Sequence, residues 1–181
     1  MRRARFAGLL ACLLAAPAGG CAAREEPVTQ PDFETRLVLK NAAGEEASAF
    51  RSGETITLVV TIRNRAAAPR SLTFSSSQTH DCFIYAAAPK DAGVPKDAGG
   101  DSGGDAGGRR EVWRHSAGRM FAQVITDLTL APGESRSFTA TWNQTDAKGK
   151  PVPPGRYEAV GLVAGRAPGC RSDSVSFTIS L

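Results

Sequence analysis

Apolar and polar residues alternate with a period of two along several segments of the chain. From Thr55 to Arg63, four aliphatic side chains point to one side, while hydroxyl and charged side chains point to the other. Such alternation predicts a strand with one buried face, because successive side chains of a strand lie on opposite faces of its sheet. The same pattern recurs at 71–75, 137–142 and 175–181. Shorter or less regular candidates lie at 37–39, 83–85, 112–114 and 124–130.

Turn sequences separate these strands. Pro132-Gly133 and Pro154-Gly155 place proline and glycine at the two central positions of a type II turn. No segment carries a sustained apolar stripe of helical period. Strands with one apolar and one polar face bury the apolar faces by packing two sheets together. The pattern therefore predicts an all-β fold: an immunoglobulin-like antiparallel β-sandwich of about 7–9 strands, with a disordered Gly/Asp-rich loop insertion.

Three aromatic residues add to this prediction. Tyr157 follows the second turn closely and resembles the tyrosine corner of immunoglobulin-like sandwiches. Trp113 and Trp142 are expected in the core, since large rings dominate the packing of such domains.

The first 21 residues carry an export pattern. Three arginines precede an apolar run from Phe6 to Ala16, and small residues then lead to Cys21. This run is too short to span a bilayer as a permanent helix. We expect residues 1–20 to be a signal peptide and Cys21 to be the lipid attachment site of a bacterial lipoprotein. The alternative is ordinary cleavage near Ala16-Pro17-Ala18, which leaves Cys21 as a free thiol.

Two low-complexity regions flank or interrupt the predicted domain, residues 34–181. Residues 21–33 are polar with two prolines, which is typical of a tether that holds a domain off a membrane. Residues 88–109 are rich in Gly and Asp, with Val94 as the one large apolar residue, and are expected to be a disordered insertion. Their aspartates lack the spacing of a calcium loop. The run Gly100-Asp101-Ser102-Gly103-Gly104 matches the nucleophile loop of trypsin-like proteases by chance in a biased tract.

Charge and chemistry exclude several function classes. The chain has 22 Lys and Arg against 18 Asp and Glu, and three of the arginines lie in the signal, so the remainder is nearly neutral. No basic cluster interleaved with aromatics is present, which argues against a nucleic-acid partner. No acid, base and nucleophile are assembled, so the sequence predicts neither an enzyme nor a cofactor. After export, Cys82 and Cys170 are expected to form a disulfide, with two free buried thiols as the alternative.

The middle of the chain carries a distinctive succession of short motifs. In order, these are Val112-Trp113-Arg114-His115-Ser116, Met120-Phe121-Ala122-Gln123, Leu130-Ala131-Pro132-Gly133-Glu134, Phe138, Trp142 and Pro154-Gly155-Arg156-Tyr157. This succession resembles the intracellular proteinase inhibitor family of bacteria, the BsuPI-like domain, and the resemblance covers roughly Thr55 to Val163. Gln78 and Asp81 fall where the family has a Gln-x-aromatic-Asp segment. The resemblance implies an immunoglobulin-like sandwich and inhibition of subtilisin-like serine proteases. This chain departs from the family in its export pattern, its insertion, and two histidines at aromatic positions.

Those two histidines, His80 and His115, are expected to approach one another. If Cys82 to Tyr85 pairs with Glu111 to Arg114 as a hairpin, both imidazoles lie near Asp81. Zinc or copper would suit such ligands, but metal-site spacings are absent, so polar replacement of two aromatic residues is the preferred interpretation and no metal is assigned.

The sequence thus favours a non-enzymatic, envelope-anchored binding domain that inhibits an exported subtilisin-like protease. Its expected partners are the membrane, through the lipid anchor, and an exported serine protease or another envelope protein. Two loops are the candidate binding elements, one including Arg65 and Arg70, the other Arg166 and Pro168. The alternative is a structural or adhesive envelope module that binds a protein or glycan without inhibition. The outer membrane is the favoured location, with secretion as the alternative.

Overall fold

The computed structural model describes residues 31–87 and 109–181, and within these ranges the protein is all-β, as predicted. It has ten strands, one more than the upper expectation: β1 (Phe33–Lys40), β2 (Ala49–Arg51), β3 (Ile56–Asn64), β4 (Arg70–Phe74), β5 (His80–Ala86), β6 (Arg110–Arg114), β7 (Thr126–Leu130), β8 (Ser135–Trp142), β9 (Gly155–Val163) and β10 (Val175–Ser180). These residues contain no helix suited to crossing a membrane.

The strands form a β-sandwich of two larger sheets and one small one. One sheet has the order β1-β3-β8, a second has the order β2-β10-β9-β5-β6, and β4 pairs with β7. All pairings are antiparallel except that of the short β2 with β10, which is parallel. A single main core cluster joins residues from all three sheets. The immunoglobulin-like arrangement itself stays a prediction.

In the sheet β1-β3-β8, the alternating apolar residues form the face that is packed against the core. In β3, the side chains of Ile56, Leu58, Val60 and Ile62 are fully buried, and the residues between them are half-buried or exposed. Each buried aliphatic side chain contributes roughly 1.5–3 kcal/mol relative to an exposed one. The strand therefore supplies much of the core from one simple sequence pattern.

The central strand β9 has no such pattern, because it is buried on both faces. Ala159, Val160 and Gly161 are consecutive and all buried. Gly161 is required by packing, since a Cβ there would lie 2.8 Å from a methyl group of Val60 in the facing sheet. Continuous apolar runs of this kind do not reveal a strand by periodicity alone.

The predicted turn at Pro132-Gly133 is confirmed, but the second one is not a turn. Gly133 has a φ of 77°, and Glu134 N donates to Ala131 O at 3.0 Å across the turn. Gly155 instead begins β9. Its neighbour Tyr157 still forms the predicted corner: its hydroxyl donates to the carbonyl of residue 153, four positions upstream, at 2.5 Å.

The predicted disulfide is corrected, because Cys82 and Cys170 are both free, buried thiols. Cys82 on β5 is paired with Gly161 of β9, while Cys170 lies on the other side of β9, where its carbonyl accepts from Val163 N. Two inter-strand spacings amount to about 9.6 Å. A disulfide requires Cα atoms within about 7 Å, so the intervening strand keeps the thiols apart.

Several predictions fall outside the described residues. These are the signal peptide at 1–20, lipid attachment at Cys21, nearly all of the tether, and the insertion except for Arg109.

Candidate functional site

The segment between β6 and β7 combines order with exposure. A turn at 115–118 leaves β6, with Gly118 in the left-handed region at a φ of 71°. From 119 to 125 the chain continues to β7 without a β-turn or bend. We refer to residues 119–125 as the exposed segment.

The start of this connection is fixed by the buried carboxylate of Asp81, on β5. Its Oδ1 accepts hydrogen bonds from the backbone N–H groups of Ser116 at 3.0 Å and Cys82 at 2.9 Å. Its Oδ2 accepts from the hydroxyl of Ser116 at 2.6 Å and, more weakly, from the amide of Gln78 at 3.4 Å. Asp81 is only 4% exposed. These bonds hold the turn against the start of β5.

The middle of the exposed segment is held by Ser77. The backbone N–H of Ser77 donates to Ala122 O at 2.8 Å, and Ala122 N donates to the hydroxyl of Ser77 at 3.0 Å. Val124 N also donates to Ala122 O at 2.9 Å, which closes a three-residue γ-turn at 122–124. The pairing of β7 with β4 then fixes the far end.

The side chains of the exposed segment are unusually apolar for a surface. Met120 is fully exposed, Ile125 is 73% exposed and Val124 is 53% exposed. In the described part of the chain, the only other large hydrophobic side chain as exposed as these belongs to Leu181 near the end. Three large apolar side chains exposed within six residues make this segment a candidate interaction site.

The two histidines meet as predicted, within reach of the charge of Arg119 at the start of the segment. The rings of His80 and His115 stack with centroids 5.1 Å apart, and His80 also stacks on Phe138 at 5.2 Å. The ring of Trp113 contacts that of His115 edge-on, with centroids 6.0 Å apart. Trp113 also packs on the fully buried Trp142, with centroids 6.2 Å apart. The predicted core positions of both tryptophans are confirmed.

Burial lowers the pKa of His80, although the adjacent Asp81 and the Thr139 backbone oppose the shift. Burial also lowers the pKa of His115, and the positive charge of Arg119 adds to that shift. Nε2 of His80 and Nδ1 of His115 are buried without a hydrogen-bond partner. Both rings are therefore suited to the neutral form.

The stacked rings do not assemble a metal centre. Ring-nitrogen lone pairs lie in the ring planes, and planes that are only 23° apart do not direct them to one common point. Within residues 31–87 and 109–181, no three His, Cys, Asp or Glu side chains are grouped to hold a metal ion.

The first predicted binding loop is tied into ion pairs. Arg65 contacts Glu34 at 2.8 Å and Arg70 contacts Asp32 at 2.7 Å. Both arginines lie beside the start of β1, and all four side chains are about half exposed. Their guanidinium groups are therefore already partnered by carboxylates.

The second predicted loop exposes Arg166 and Pro168 on either side of the half-buried Ala167. Hydrogen bonds hold this loop in place of the expected disulfide. Ala164 N donates to Thr79 O at 2.9 Å, and the hydroxyl of Thr35 donates to the carbonyl of residue 169 at 2.7 Å. Since Thr79 belongs to the same stretch as Ser77 and Asp81, this loop and the exposed segment flank one common support.

An open strand edge forms a further surface. A groove of about 640 Å³ runs along Glu34–Leu39 of β1, opposite Glu46–Ser48 and Asp173. Ala47 N donates to Leu39 O, which points away from β3. By the alternation of an antiparallel ladder, the backbone groups of Thr35 and Leu37 face the same groove.

Sequence reasoning missed the exposed segment. The residues Met120-Phe121-Ala122-Gln123 carried the resemblance, but they were not selected as a binding element. A signal was present: 117–125 contains three large aliphatic or thioether side chains with neither strand alternation nor a helical period.

The residues of this region are those that match a known family. The model of the BsuPI family, described as intracellular proteinase inhibitor, matches residues 105–168. The match includes the whole exposed segment and the Arg166 and Pro168 loop, so the resemblance is confirmed over this part. It does not extend upstream to Gln78 or Asp81.

Comparison with solved structures gives distant likenesses. Alkylpurine DNA glycosylase AlkC of Pseudomonas fluorescens, solved with DNA containing an abasic site analog, has 17% identity and a TM-score of 0.43, over 84% of this chain and 32% of that one. Sporulation control protein Spo0M of Bacillus subtilis has 13% identity and a TM-score of 0.47, over 83% of this chain and 50% of that one. A beta-glucosidase of Listeria innocua has 12% identity and a TM-score of 0.37, over 81% and 16%.

This chain spans about a third of the first of these proteins and half of the second. With TM-scores below 0.5, the likenesses indicate no shared function. No curated protein matches the chain.

Proposed function

We propose, from the premise that residues 105–168 match the intracellular proteinase inhibitor family, that this protein is a non-enzymatic domain that binds and inhibits a serine protease. The observation that carries the proposal is the exposed segment inside the matched region. Its apolar side chains face solvent, while Asp81 and Ser77 hold its backbone in place. A loop that is ordered before binding avoids the entropic cost of ordering it in the complex.

The test is steady-state inhibition by the full chain. Purified protein is titrated into subtilisin and, separately, chymotrypsin, each cleaving a small chromogenic peptide. We expect inhibition at sub-micromolar concentration, with the domain intact after the assay. Unchanged rates with both enzymes, or rapid degradation of the domain, would contradict the proposal.

We propose further that the domain acts outside the cytoplasm, anchored by lipid at Cys21 to a bacterial envelope membrane and directed at an exported subtilisin-like protease. The support is the basic, apolar and small-residue succession of the first 21 residues. In the native host, Cys21→Ala is expected to move the protein from the membrane to the soluble fraction. Retention of this variant in the membrane fraction would contradict lipid anchoring.

The groove beside β1 favours a second candidate function, binding of another envelope protein without inhibition. An extended polypeptide can add to an open strand edge through its backbone groups. The ion pair of Arg36 with Glu46, at 3.9 Å, is largely exposed and offers little obstacle. The inhibition assay separates the two candidates, because strand addition at β1 leaves a protease active.

A further inference from the structure

We propose that the exposed segment is the part of the domain that enters the protease active site, with Met120 in the primary specificity pocket. This inference rests on the proposed inhibitory function and deepens it. It assigns the target to serine proteases whose pocket accepts a long, unbranched apolar side chain.

The backbone of the segment suits this role. Proteases bind polypeptide in extended form, by pairing it with an edge of the enzyme. Residues 119–122 contain no β-turn or bend, and a three-residue γ-turn follows at 122–124. Met120 lies two residues from Ala122, which Ser77 fixes on both its N–H and its carbonyl. Upstream, Arg119 N donates to Ser116 O at 3.1 Å, and Ser116 is itself bound by Asp81. The fully exposed methionine is thus supported from both sides.

The side chain suits the pocket as well. A protease selects its substrate largely through one pocket, which in chymotrypsin-like enzymes is an apolar slot. The thioether chain of Met is flexible and adapts to apolar pockets of irregular shape. Met120 leaves its whole side chain available, whereas the next residue, Phe121, is half-buried against the domain. Arg119 on the other side is exposed and places a positive charge beside the pocket entrance.

The two loops predicted from the sequence are less suited to the pocket. Arg65 and Arg70 are held by carboxylates. Pro168 has no backbone N–H to donate to an enzyme edge. Arg166 is exposed, but its loop offers no large apolar side chain. Of the candidate elements in the described residues, the exposed segment alone joins large, exposed apolar side chains to a backbone that hydrogen bonds hold in place.

The experiment compares inhibition constants of full-chain variants against subtilisin. Met120→Asp places a charge in an apolar pocket and is expected to raise the inhibition constant at least about 100-fold, as for a central contact of an interface. Met120→Leu keeps an apolar side chain of similar size and is expected to stay within about 5-fold. Leu181→Asp is the matched control: it introduces the same charge at another fully exposed apolar residue and is expected to change nothing.

A third variant tests the support of the segment. Ser77→Ala removes the hydroxyl that accepts from Ala122 N, so the loop loses order without losing Met120. We expect weaker inhibition and faster cleavage of the variant by subtilisin. Since Met120 is fully exposed, Met120→Asp should melt at the wild-type temperature, which separates lost binding from lost folding.

The outcomes distinguish this inference from the proposed function. Inhibition by wild type and equal inhibition by Met120→Asp would overturn the inference and leave the inhibitory function standing. No inhibition by wild type would overturn both. Loss of inhibition in Met120→Asp together with retention in Leu181→Asp and Met120→Leu supports both.

Discussion

Replacement of Asp81 tests the support of the exposed segment most severely. In Asp81→Ala, Ser116 loses the acceptor for its N–H and its hydroxyl, and Cys82 loses the acceptor for its N–H. Each hydrogen bond to a charged group contributes about 1.5–3 kcal/mol. Two effects reduce the loss. Water can reach the half-buried Ser116 and replace part of its hydrogen bonding, and the variant no longer buries the carboxylate of Asp81, which is unfavourable in the wild type. We therefore expect a loss of about 3–4 kcal/mol in the free energy of unfolding, less than the sum of three bonds.

The assay is urea denaturation of wild type and variants, followed by circular dichroism and tryptophan fluorescence. Asp81→Asn keeps one acceptor oxygen and should lose about 1–2 kcal/mol. The exposed Asp173→Ala is the control and should stay within about 0.5 kcal/mol of wild type. A loss below about 1 kcal/mol in Asp81→Ala would refute the role of this carboxylate as the anchor of the turn.

Three further predictions concern the histidine stack, the thiols and the sheet packing. Burial lowers the pKa of His80 and His115 below 6.5. As the pH falls below about 6.5, these histidines take up protons in the unfolded chain before they do in the folded one, so the free energy of unfolding should decline there. Replacing both histidines with Phe should lessen this decline between pH 7.5 and 5.0, and an unchanged dependence of the unfolding free energy on pH would contradict the assignment. Burial raises the pKa of the Cys82 thiol to about 12, so Cys82 of the native protein should stay unmodified by iodoacetamide at pH 8, as read by peptide mass mapping. The melting temperature should be the same with and without reductant; a drop of several degrees in reductant would indicate a disulfide. Gly161→Ala should lower the free energy of unfolding by about 1–3 kcal/mol, because the added methyl group contacts Val60. In the double variant, Val60→Ala should restore part of this loss. Strictly additive losses from the two substitutions would count against that contact.

The sequence predicted well those strands that bury only one of their two faces. The alternation at 55–63 and 137–142 corresponds to β3 and β8, which face the core with one side only. β9 is buried on both sides at Ala159 and Val160, so its pattern gave no period. β2 has only three residues and depends on its pairing with β10. Short strands that exist through a tertiary partner leave little trace in local sequence.

The candidate site was predicted in pieces. The approach of His80, His115 and Asp81 followed from one hairpin, because the pairing of β5 with β6 fixes what lies at its end. The bond from Ser116 to Asp81 and the bond between Ser77 and Ala122 join residues 35 and 45 positions apart. Such contacts depend on the folded arrangement, so the order of the exposed segment could not be inferred from its own residues. The Cys82–Cys170 pairing failed for the same reason, since no local pattern shows which strand lies between two cysteines.

Competition for the protease active site tests the central claim most directly. Binding of the full chain is measured by calorimetry to free subtilisin and to subtilisin whose active site is filled by a covalently attached peptide chloromethyl ketone. The exposed segment with Met120 requires the empty pocket, so we expect binding to the free enzyme and none to the blocked one. Equal affinity for both forms would contradict the account.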